Sequence, residues 1–302
     1  MRSAKPVRND IHILMFGKTG QLATELQTLA AKAGYRVTAL GREQVTLEDS
    51  AAVSGAIIAH DADIIVNAAA YTNVDGAEIA QAEALAVNAD AVLAMAEAAR
   101  LQETPFIHVS TDYVFNGTGE TPWKTADPID PINSYGASKA KGEALIASVA
   151  GRNIIIRTSW IFSPHGNNFL KTMLRLAAQQ EELRIVGDQV GGPTSAADLA
   201  SAILTIAEKE LAQTGAFSAL YDTRILHFTG FPYVSWAQFA EEIIASAGLK
   251  NTVTSIPSSD FPTPAARPKN SRLDLSDITH IYGIEAPDWR KAIHDCIKKV
   301  SK

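Results

Sequence analysis

Short apolar runs and longer segments of helical spacing alternate along the first half of the chain. Short apolar runs bounded by turn-forming residues are typical of strands that are buried on both faces. Such runs lie at residues 11–16, 35–40, 63–70, 106–110 and 154–157. Apolar side chains at helical spacing lie between them, at residues 24–33, 50–60 and 77–100. This alternation predicts an α/β fold built on a doubly wound parallel sheet.

The pattern changes near residue 158, and the second half of the chain is less regular. Helical spacing returns at residues 169–178, 198–209 and 235–247, whereas residues 217–229 favour an extended segment. At 302 residues the chain is long enough for one large domain or two closely packed ones. We expect one domain from residues 1–158 with roughly 192–230, and a smaller α/β domain from residues 159–191 and 231–302.

A glycine turn follows the first predicted strand directly. Gly17 and Gly20 stand in the order Gly-x-x-Gly-x-x-Ala, and the first predicted helix comes next. Glycines allow a backbone to approach a pyrophosphate, and a helix N-terminus offers free N–H groups. The context of strand, turn and helix therefore predicts a dinucleotide site, although an ordinary tight turn has the same pattern.

Two further stretches fit the same cofactor. The second predicted strand ends at Gly41-Arg42, and an arginine at this place accommodates the phosphate of NADPH, so NADPH is favoured and NADH is the alternative. A solvated surface arginine is the competing interpretation. The third predicted strand ends in small residues, so Ala68 to Tyr71 form a second edge for a flat ligand.

Tyr135 and Lys139 are four residues apart in a predicted helix, so their side chains lie on the same face. A phenol is a weak acid with a pKa of about 10, and a nearby ammonium stabilises the phenolate. A lowering of about 3 units would correspond to roughly 4 kcal/mol. The pair therefore predicts proton delivery to a carbonyl oxygen, although the spacing also occurs by chance on many helices.

A hydroxyl group at the end of the fourth predicted strand could bind the same carbonyl oxygen. Ser110 and Thr111 are both candidates, but neighbouring strand residues face opposite ways, so only one can do so. The spacing does not choose between them. Arg267 could bind a phosphate and Trp160 could cover a sugar, while a surface arginine and a core tryptophan are the simpler interpretations.

Composition and charge narrow the class of protein. The formal net charge of −6 argues against a nucleic-acid or anionic-membrane partner. The first ten residues lack the apolar core of a signal peptide, and no apolar run is long enough to cross a bilayer. The single cysteine, Cys296, and the scattered histidines predict a cytoplasmic protein without a disulfide or a metal site.

In combination, several motifs make the chain resemble the extended short-chain dehydrogenases/reductases. Within them it resembles the dTDP-4-dehydrorhamnose reductase family over nearly its whole length. The motifs are Phe-Gly-Lys-Thr-Gly-Gln-Leu at 16–22, Val-Asn-Ala-Ala-Ala-Tyr-Thr at 66–72, Ser-Thr-Asp-Tyr-Val-Phe at 110–115, Tyr-Gly-Ala-Ser-Lys at 135–139, Arg-Thr-Ser-Trp at 157–160, Gly-Asn-Asn-Phe at 166–169, Gly-Pro-Thr at 192–194 and Arg-Pro at 267–268.

The resemblance implies a Rossmann-type first domain that binds the cofactor and a second domain that binds a dTDP-sugar. It implies reduction of the C4 carbonyl of dTDP-4-dehydro-L-rhamnose, with Tyr135 as proton donor and Lys139 on the nicotinamide ribose. It selects Thr111 as the hydroxyl. The other implied cofactor residues are Gly17, Thr19, Gly20, Gln21, Leu22, Arg42, Ala68, Ala69, Ala70, Tyr71 and Val109, and the implied substrate residues are Thr111, Asp112, Trp160, Asn168 and Arg267.

Other functions are compatible with the same motifs. The chain could be a ketoreductase or an epimerase for another nucleotide sugar, and the pocket around Trp160 would decide between them. It could also be an NADP-binding regulatory subunit without turnover, but such a subunit need not keep the tyrosine, the lysine and the hydroxyl together. A homodimer is compatible with the resemblance, and the sequence does not determine the oligomeric state.

Overall fold

The computed structural model describes residues 11–212 and 223–300. Five of the strands fall where the apolar runs predict them. In chain order the strands are β1 (His12–Phe16), β2 (Arg36–Leu40), β3 (Ile64–Asn67), β4 (Phe106–Thr111), β5 (Asn153–Thr158), β6 (Ile161–Phe162), β7 (Glu182–Val186), β8 (Val190–Gly191), β9 (Thr194–Ser195), β10 (Arg224–His227), β11 (Val234–Ser235), β12 (Thr252–Ile256) and β13 (Asn270–Ser271).

The helices of the described residues alternate with the first strands and dominate the second half. In chain order they are α1 (Gln21–Lys32), α2 (Ser50–Ile58), α3 (Val74–Ala77), α4 (Gln81–Leu85), α5 (Ala91–Leu101), α6 (Ser134–Ser148), α7 (Phe169–Ala177), α8 (Ala196–Ala212), α9 (Trp236–Ser246), α10 (Ser276–Tyr282) and α11 (Trp289–Val300). Within the described residues, no helix combines the length and the hydrophobicity that a membrane span requires.

Six strands form one sheet in the order β10-β5-β4-β3-β1-β2, and all five neighbouring pairs are parallel. The predicted doubly wound parallel sheet is therefore confirmed. The chain reverses its direction of travel across the sheet between β1 and β3. Ligands of open α/β sheets bind outside the carboxyl ends of the strands at such a switch point. Gly17 and Ala68, which follow β1 and β3, lie at this point.

Helices cover both faces of the sheet. On one face, side chains of α1, α8 and α10 pack against β1, β3 and β5, with Leu26, Ile203 and Ile278 fully buried. On the other face, α2, α5 and α6 provide a second core that includes Val53, Met95 and Ile146. The continuous apolar runs are explained by this arrangement, because each central strand is buried on both sides.

The second half contributes a smaller core of its own. β7 pairs with β12, and β8 lies between β11 and β13. Aromatic side chains fill the space between α7, α9 and α11, where Phe239 packs edge-on against Trp289 with ring centroids 5.3 Å apart. The sequence analysis predicted no elements at β7, β12, α10 and α11, of which β7, β12 and α10 are short, with five, five and seven residues.

The helical spacing predicted over residues 77–100 corresponds to more than one helical element. A short α3 precedes it, and a π-helical turn at Ala86–Asp90 joins α4 to α5. The backbone of Asn88 in this turn lies against α6, where a Cβ on Gly142 would come within 2.1 Å of the Asn88 carbonyl oxygen. The predicted extended segment at 217–229 is confirmed at β10, and its first part lies outside the described residues.

Candidate active site

An open cleft of about 740 Å³ lies over the switch point of the sheet. Its walls come from the glycine turn, the loop after β2, the carboxyl end of β3 and the first turns of α6. Twelve of the predicted cofactor residues line it, namely Gly17, Thr19, Gly20, Gln21, Leu22, Arg42, Ala68, Ala69, Ala70, Val109, Tyr135 and Lys139. Tyr71 is the predicted cofactor residue outside this lining.

The glycine turn is held against the end of β3. Gly17 has φ +105°, and a Cβ there would lie 3.1 Å from the carbonyl carbon of Ala68. Both the left-handed backbone and the close contact therefore require glycine at this position. The backbone N–H of Gly17 donates to the Leu40 carbonyl oxygen at 2.9 Å, which ties the turn to the end of β2.

The N-terminus of α1 opens into the cleft without a capping side chain. Gly20 is the N-cap, no side chain caps it, and no acidic residue occupies the first turn. A Cβ on Gly20 would meet nothing within 4 Å, so the space above it is free for a ligand. Uncapped N–H groups and the helix dipole favour an anion. The residues present therefore fit the pyrophosphate of a dinucleotide.

Asn88 is a positioning residue that the sequence analysis missed. Its side chain accepts the N–H of Tyr71 at 2.9 Å and donates to the Tyr71 carbonyl at 3.1 Å and to the Ser138 hydroxyl at 2.9 Å. It thereby holds the end of the Ala68–Tyr71 edge against α6. Tyr71 uses its backbone for this and does not line the cleft. No local pattern in the sequence marks Asn88, because its role depends on contacts with Tyr71 and Ser138.

Helix α6 is placed by its N-terminal turn. Asn133 caps it by accepting the N–H of Gly136 at 2.7 Å and donates to the Ala266 carbonyl at 2.8 Å. A Cβ on Gly136 would come within 2.1 Å of the Tyr113 carbonyl oxygen. Helix α6 therefore packs directly on the segment after β4, which brings Tyr135 beside Thr111.

Tyr135, Thr111 and Asp112 lie next to one another. The Thr111 hydroxyl donates to Asp112 Oδ1 at 3.1 Å and lies close enough to the Tyr135 phenol to affect its pKa. Burial raises the pKa of Tyr135 to about 12, the Thr111 hydroxyl opposes this rise, and the Asp112 charge adds to it. The expected lowering of the Tyr135 pKa by Lys139 is therefore wrong for this structure, where burial raises the pKa and Lys139 is not among the groups that shift it.

The structure separates the two candidate hydroxyls. Ser110 donates to Glu143 Oε1 at 2.5 Å on the interior side of β4. Glu143 also holds Arg157 in a buried ion pair at 2.7 Å. The neighbouring Thr111 points the other way, towards Tyr135, as strand geometry requires. Of the two, the hydroxyl beside Tyr135 is that of Thr111.

Lys139 is almost fully buried at the inner wall of the cleft. Its Nζ donates to the Val109 carbonyl at 2.8 Å and lies 3.0 Å from His108 Nε2. Burial lowers the pKa of Lys139 to about 8, while the charge of Glu143 opposes the shift. The ammonium is therefore held by β4 and is placed within reach of a ligand in the cleft.

Asp112 and Arg267 each carry a buried polar atom without a hydrogen bond of good geometry among the described residues, although the Ser271 hydroxyl lies close enough to Asp112 to stabilise its carboxylate. These atoms are Asp112 Oδ2 and Arg267 Nη1. Arg267 is held by an ion pair between its Nη2 and Asp75 Oδ1 at 2.9 Å. Burial also raises the pKa of Asp112 to about 6. Buried polar atoms without a partner are rare in native proteins. Asp112 and Arg267 are therefore suited to bind a polar ligand.

Trp160 and Asn168 lie outside the lining of the cleft. The Trp160 indole stacks on Trp236 with centroids 3.5 Å apart, and its backbone has φ +49°. Asn168 caps α7 by accepting the N–H of Lys171 at 3.1 Å, and it donates to Gln21 Oε1 at 2.8 Å. The amide of Gln21 is thereby committed to the loop before α7, and any substrate role of Trp160 or Asn168 stays a prediction.

Metal-binding groups are not clustered in the part of the chain that the structure describes, where no three His, Cys, Asp or Glu side chains are placed to share an ion. The site therefore consists of a glycine turn, a hydroxyl, a tyrosine and a lysine on a doubly wound sheet. This combination defines the class of the extended short-chain dehydrogenases/reductases.

Comparison with known proteins identifies the family within this class. The model of the family described as RmlD substrate binding domain matches residues 11–302. A dTDP-4-dehydrorhamnose reductase of Aggregatibacter actinomycetemcomitans is 42% identical over 288 residues, which cover 93% of this chain and 96% of the relative. One from Burkholderia thailandensis is 41% identical, covering 95% of this chain and 98% of the relative.

Comparison with solved structures points to the same family. The dTDP-4-dehydrorhamnose reductase of Clostridium acetobutylicum superposes with a TM-score of 0.89 at 30% identity, covering 97% of this chain and all of that one. The Bacillus anthracis enzyme in complex with NADP has a TM-score of 0.87 at 30% identity, covering 96% and 99%. The chain belongs to the dTDP-4-dehydrorhamnose reductase family, and the resemblance inferred from its motifs is confirmed.

Proposed function

We propose that the protein reduces the C4 carbonyl of dTDP-4-dehydro-L-rhamnose to the alcohol of dTDP-L-rhamnose. The observation that carries the proposal is the position of Tyr135, which lines the nucleotide cleft beside the hydroxyl of Thr111. NADPH, when bound, supplies the hydride. Family membership selects the substrate from the many carbonyl compounds that such a site could reduce.

Tyr135 supplies the proton in this proposal. With a pKa of about 12 its phenol is protonated at neutral pH, so it can donate to the alkoxide oxygen as that oxygen gains charge. The hydroxyl of Thr111 bonds to the same oxygen and orients it. Lys139, held by the Val109 carbonyl, binds the ribose of the cofactor in its ammonium form.

The sugar is placed by the groups beyond Tyr135. Asp112 Oδ2 accepts a hydrogen bond from a hydroxyl of the sugar, and Arg267 Nη1 donates one to the diphosphate, which would give each buried atom a partner. The domain division at residue 158 belongs to the same proposal. The first domain holds the cofactor, and the smaller second domain, with Trp160 at its boundary, covers the sugar.

Arg42 supports NADPH as the cofactor. Its exposed side chain lines the end of the cleft that follows β2, where the adenosine ribose of a dinucleotide is expected. The guanidinium would bind the 2′-phosphate of NADPH, and NADH has no phosphate at this position. A homodimer stays a prediction, which a measured molar mass in solution would check.

The proposal is tested by the loss of nicotinamide absorbance when the purified protein meets NADPH and dTDP-4-dehydro-L-rhamnose generated in the same tube, with NADH in parallel. Tyr135→Phe should lower kcat by about 10²- to 10⁴-fold, because the positioned acid is lost. It should leave the Kd for NADPH unchanged, since the phenyl ring keeps the wall of the cleft.

Three outcomes would contradict parts of this proposal. Equal kcat in Tyr135→Phe would remove the assigned role of the phenol. Turnover of a different nucleotide sugar, with none of the dTDP substrate, would favour another ketoreductase or an epimerase. NADPH binding without any turnover would favour a regulatory subunit.

A further inference from the structure

Three polar side chains form a buried series beneath the cleft. Asn67 at the end of β3, His108 in β4 and Lys139 in α6 are each exposed by 1% or less. Asn67 Nδ2 lies 3.0 Å from His108 Nδ1, and His108 Nε2 lies 3.0 Å from Lys139 Nζ. The proposed reaction uses Lys139 and has no step for the other two side chains.

Hydrogen-bond directions fix the tautomer of His108. Asn67 Oδ1 accepts the N–H of Ala69 at 3.0 Å, which leaves the Nδ2 group of Asn67 facing the imidazole. An amide NH₂ can only donate, so His108 Nδ1 must accept. Burial and the charge of Lys139 lower the pKa of His108 well below its ordinary value, so the ring is neutral and its proton lies on Nε2.

This tautomer directs an N–H group at Lys139. An ammonium has three hydrogens and no lone pair, so it cannot accept from His108 Nε2–H. A neutral amine can accept it. The 3.0 Å contact with His108 therefore favours the neutral form of Lys139. The contact with the Val109 carbonyl at 2.8 Å does not distinguish the two forms, because both the amine and the ammonium can donate to it.

We propose that His108 is a positioning residue that sets the protonation state of Lys139, with its Nε2–H aimed at Nζ by Asn67. This inference rests on the proposed function, in which the ammonium form of Lys139 is the active one. His108 makes that form less stable and confines it to lower pH.

Other charged groups also face Lys139 and must stay constant in the test. Glu143 lies one turn further along α6 and favours the ammonium, but its carboxylate is shared with Arg157 and Ser110. Tyr135 lies one turn before Lys139 on the same helix and stays protonated at neutral pH. At position 108, a neutral residue can replace the hydrogen-bond donor that faces Nζ with an acceptor, and the net charge stays the same.

The test is His108→Gln, followed by the pH dependence of kcat/KM. A glutamine amide can turn its oxygen towards Nζ and accept from the ammonium. The alkaline limb of the profile, where Lys139 loses its proton, should move up by roughly 1 pH unit, which is the change expected for one hydrogen bond to a charged group. His60→Gln is the matched control, because this histidine bonds to the Ala56 carbonyl away from the cleft, and its limb should not move.

A structural role alone would lower kcat/KM at every pH without moving the limb, and that result would overturn the inference. The wild-type protein provides a test that needs neither a variant nor turnover. With ¹⁵N-histidine, the ring shifts of His108 should report the neutral Nε2–H tautomer, and the Nδ1–H tautomer would refute the argument.

The Lys139 titration itself separates this inference from the proposed function. In protein with ¹³C-lysine, assigned by Lys139→Met, the Cε signal of Lys139 should titrate roughly 1 pH unit higher in His108→Gln than in the wild type. An unchanged midpoint would overturn the role of His108. If no sugar substrate is reduced, the proposed function fails, and the two spectra still decide this inference.

Discussion

Substitution of Gly17 by alanine tests how the glycine turn shapes the cleft. A Cβ at this position would lie 3.1 Å from the carbonyl carbon of Ala68 and 3.2 Å from the N atom of Ala69. Contacts of that length force the neighbouring backbone to move by a few tenths of an ångström. The backbone that must move is one wall of the cleft.

Two effects contribute to the expected magnitude. Alanine at φ +105° is strained by about 1 to 2 kcal/mol, a cost that any residue with a Cβ would have at a positive φ. The contact with Ala68 and Ala69 comes in addition and displaces the edge on which the cofactor lies. We expect a further loss of NADPH affinity of about tenfold, which equals about 1.4 kcal/mol.

Gly34→Ala is the matched control for this prediction. Gly34 also has a positive φ, +80°, but a Cβ there would meet nothing within 4 Å. Urea unfolding followed by circular dichroism measures the strain in both variants, and a fluorescence titration measures the Kd for NADPH. Both variants should lose stability, and only Gly17→Ala should lose affinity. Wild-type affinity in Gly17→Ala, or an equal loss in Gly34→Ala, would refute the reasoning.

Two further predictions concern buried charges. Burial raises the pKa of Asp112 from 3.8 to about 6, so the folded protein binds a proton that the unfolded chain has already released between these values. The free energy of unfolding should therefore fall by about 3 kcal/mol as the pH rises from about 4 to 6. Urea unfolding at several pH values should show that Asp112→Asn removes this fall. An Asp112→Asn variant with the wild-type pH dependence would contradict the prediction. Glu143→Gln leaves Arg157 buried without its counter-charge and should cost about 3 to 5 kcal/mol in the free energy of unfolding. The double variant Glu143→Leu with Arg157→Met should lose much less, and an equal loss in both proteins would show that the ion pair is not the cause.

The central sheet could be predicted because its signal is local. The runs that became β1, β3, β4 and β5 are mainly apolar, since both of their faces are covered by helices. Small and half-exposed elements such as β7 and β12 gave no such signal, because their burial pattern depends on partners from distant parts of the chain. The π-helical turn gave no local signal either, and it packs against Gly142 of α6, which is distant in the chain.

The candidate site divides in the same way. Gly17, Tyr135 and Lys139 could be singled out, because each belongs to a short motif whose spacing carries a physical meaning. Asn88 and His108 could not, since what matters is the atom that each one faces across the fold. The lowering expected for the Tyr135 pKa failed for a related reason, because spacing does not report burial.

The sequence by itself determined the layered α/β fold, the phosphate-binding turn and the tyrosine–lysine pair, because hydrophobic period and motif spacing are properties of neighbouring residues. Only the tertiary structure decided that Thr111 and not Ser110 faces Tyr135, that Asn168 binds Gln21 and α7, and that Lys139 rests against His108. These are contacts between segments far apart in the chain, and their geometry exists only once the helices have packed on the sheet.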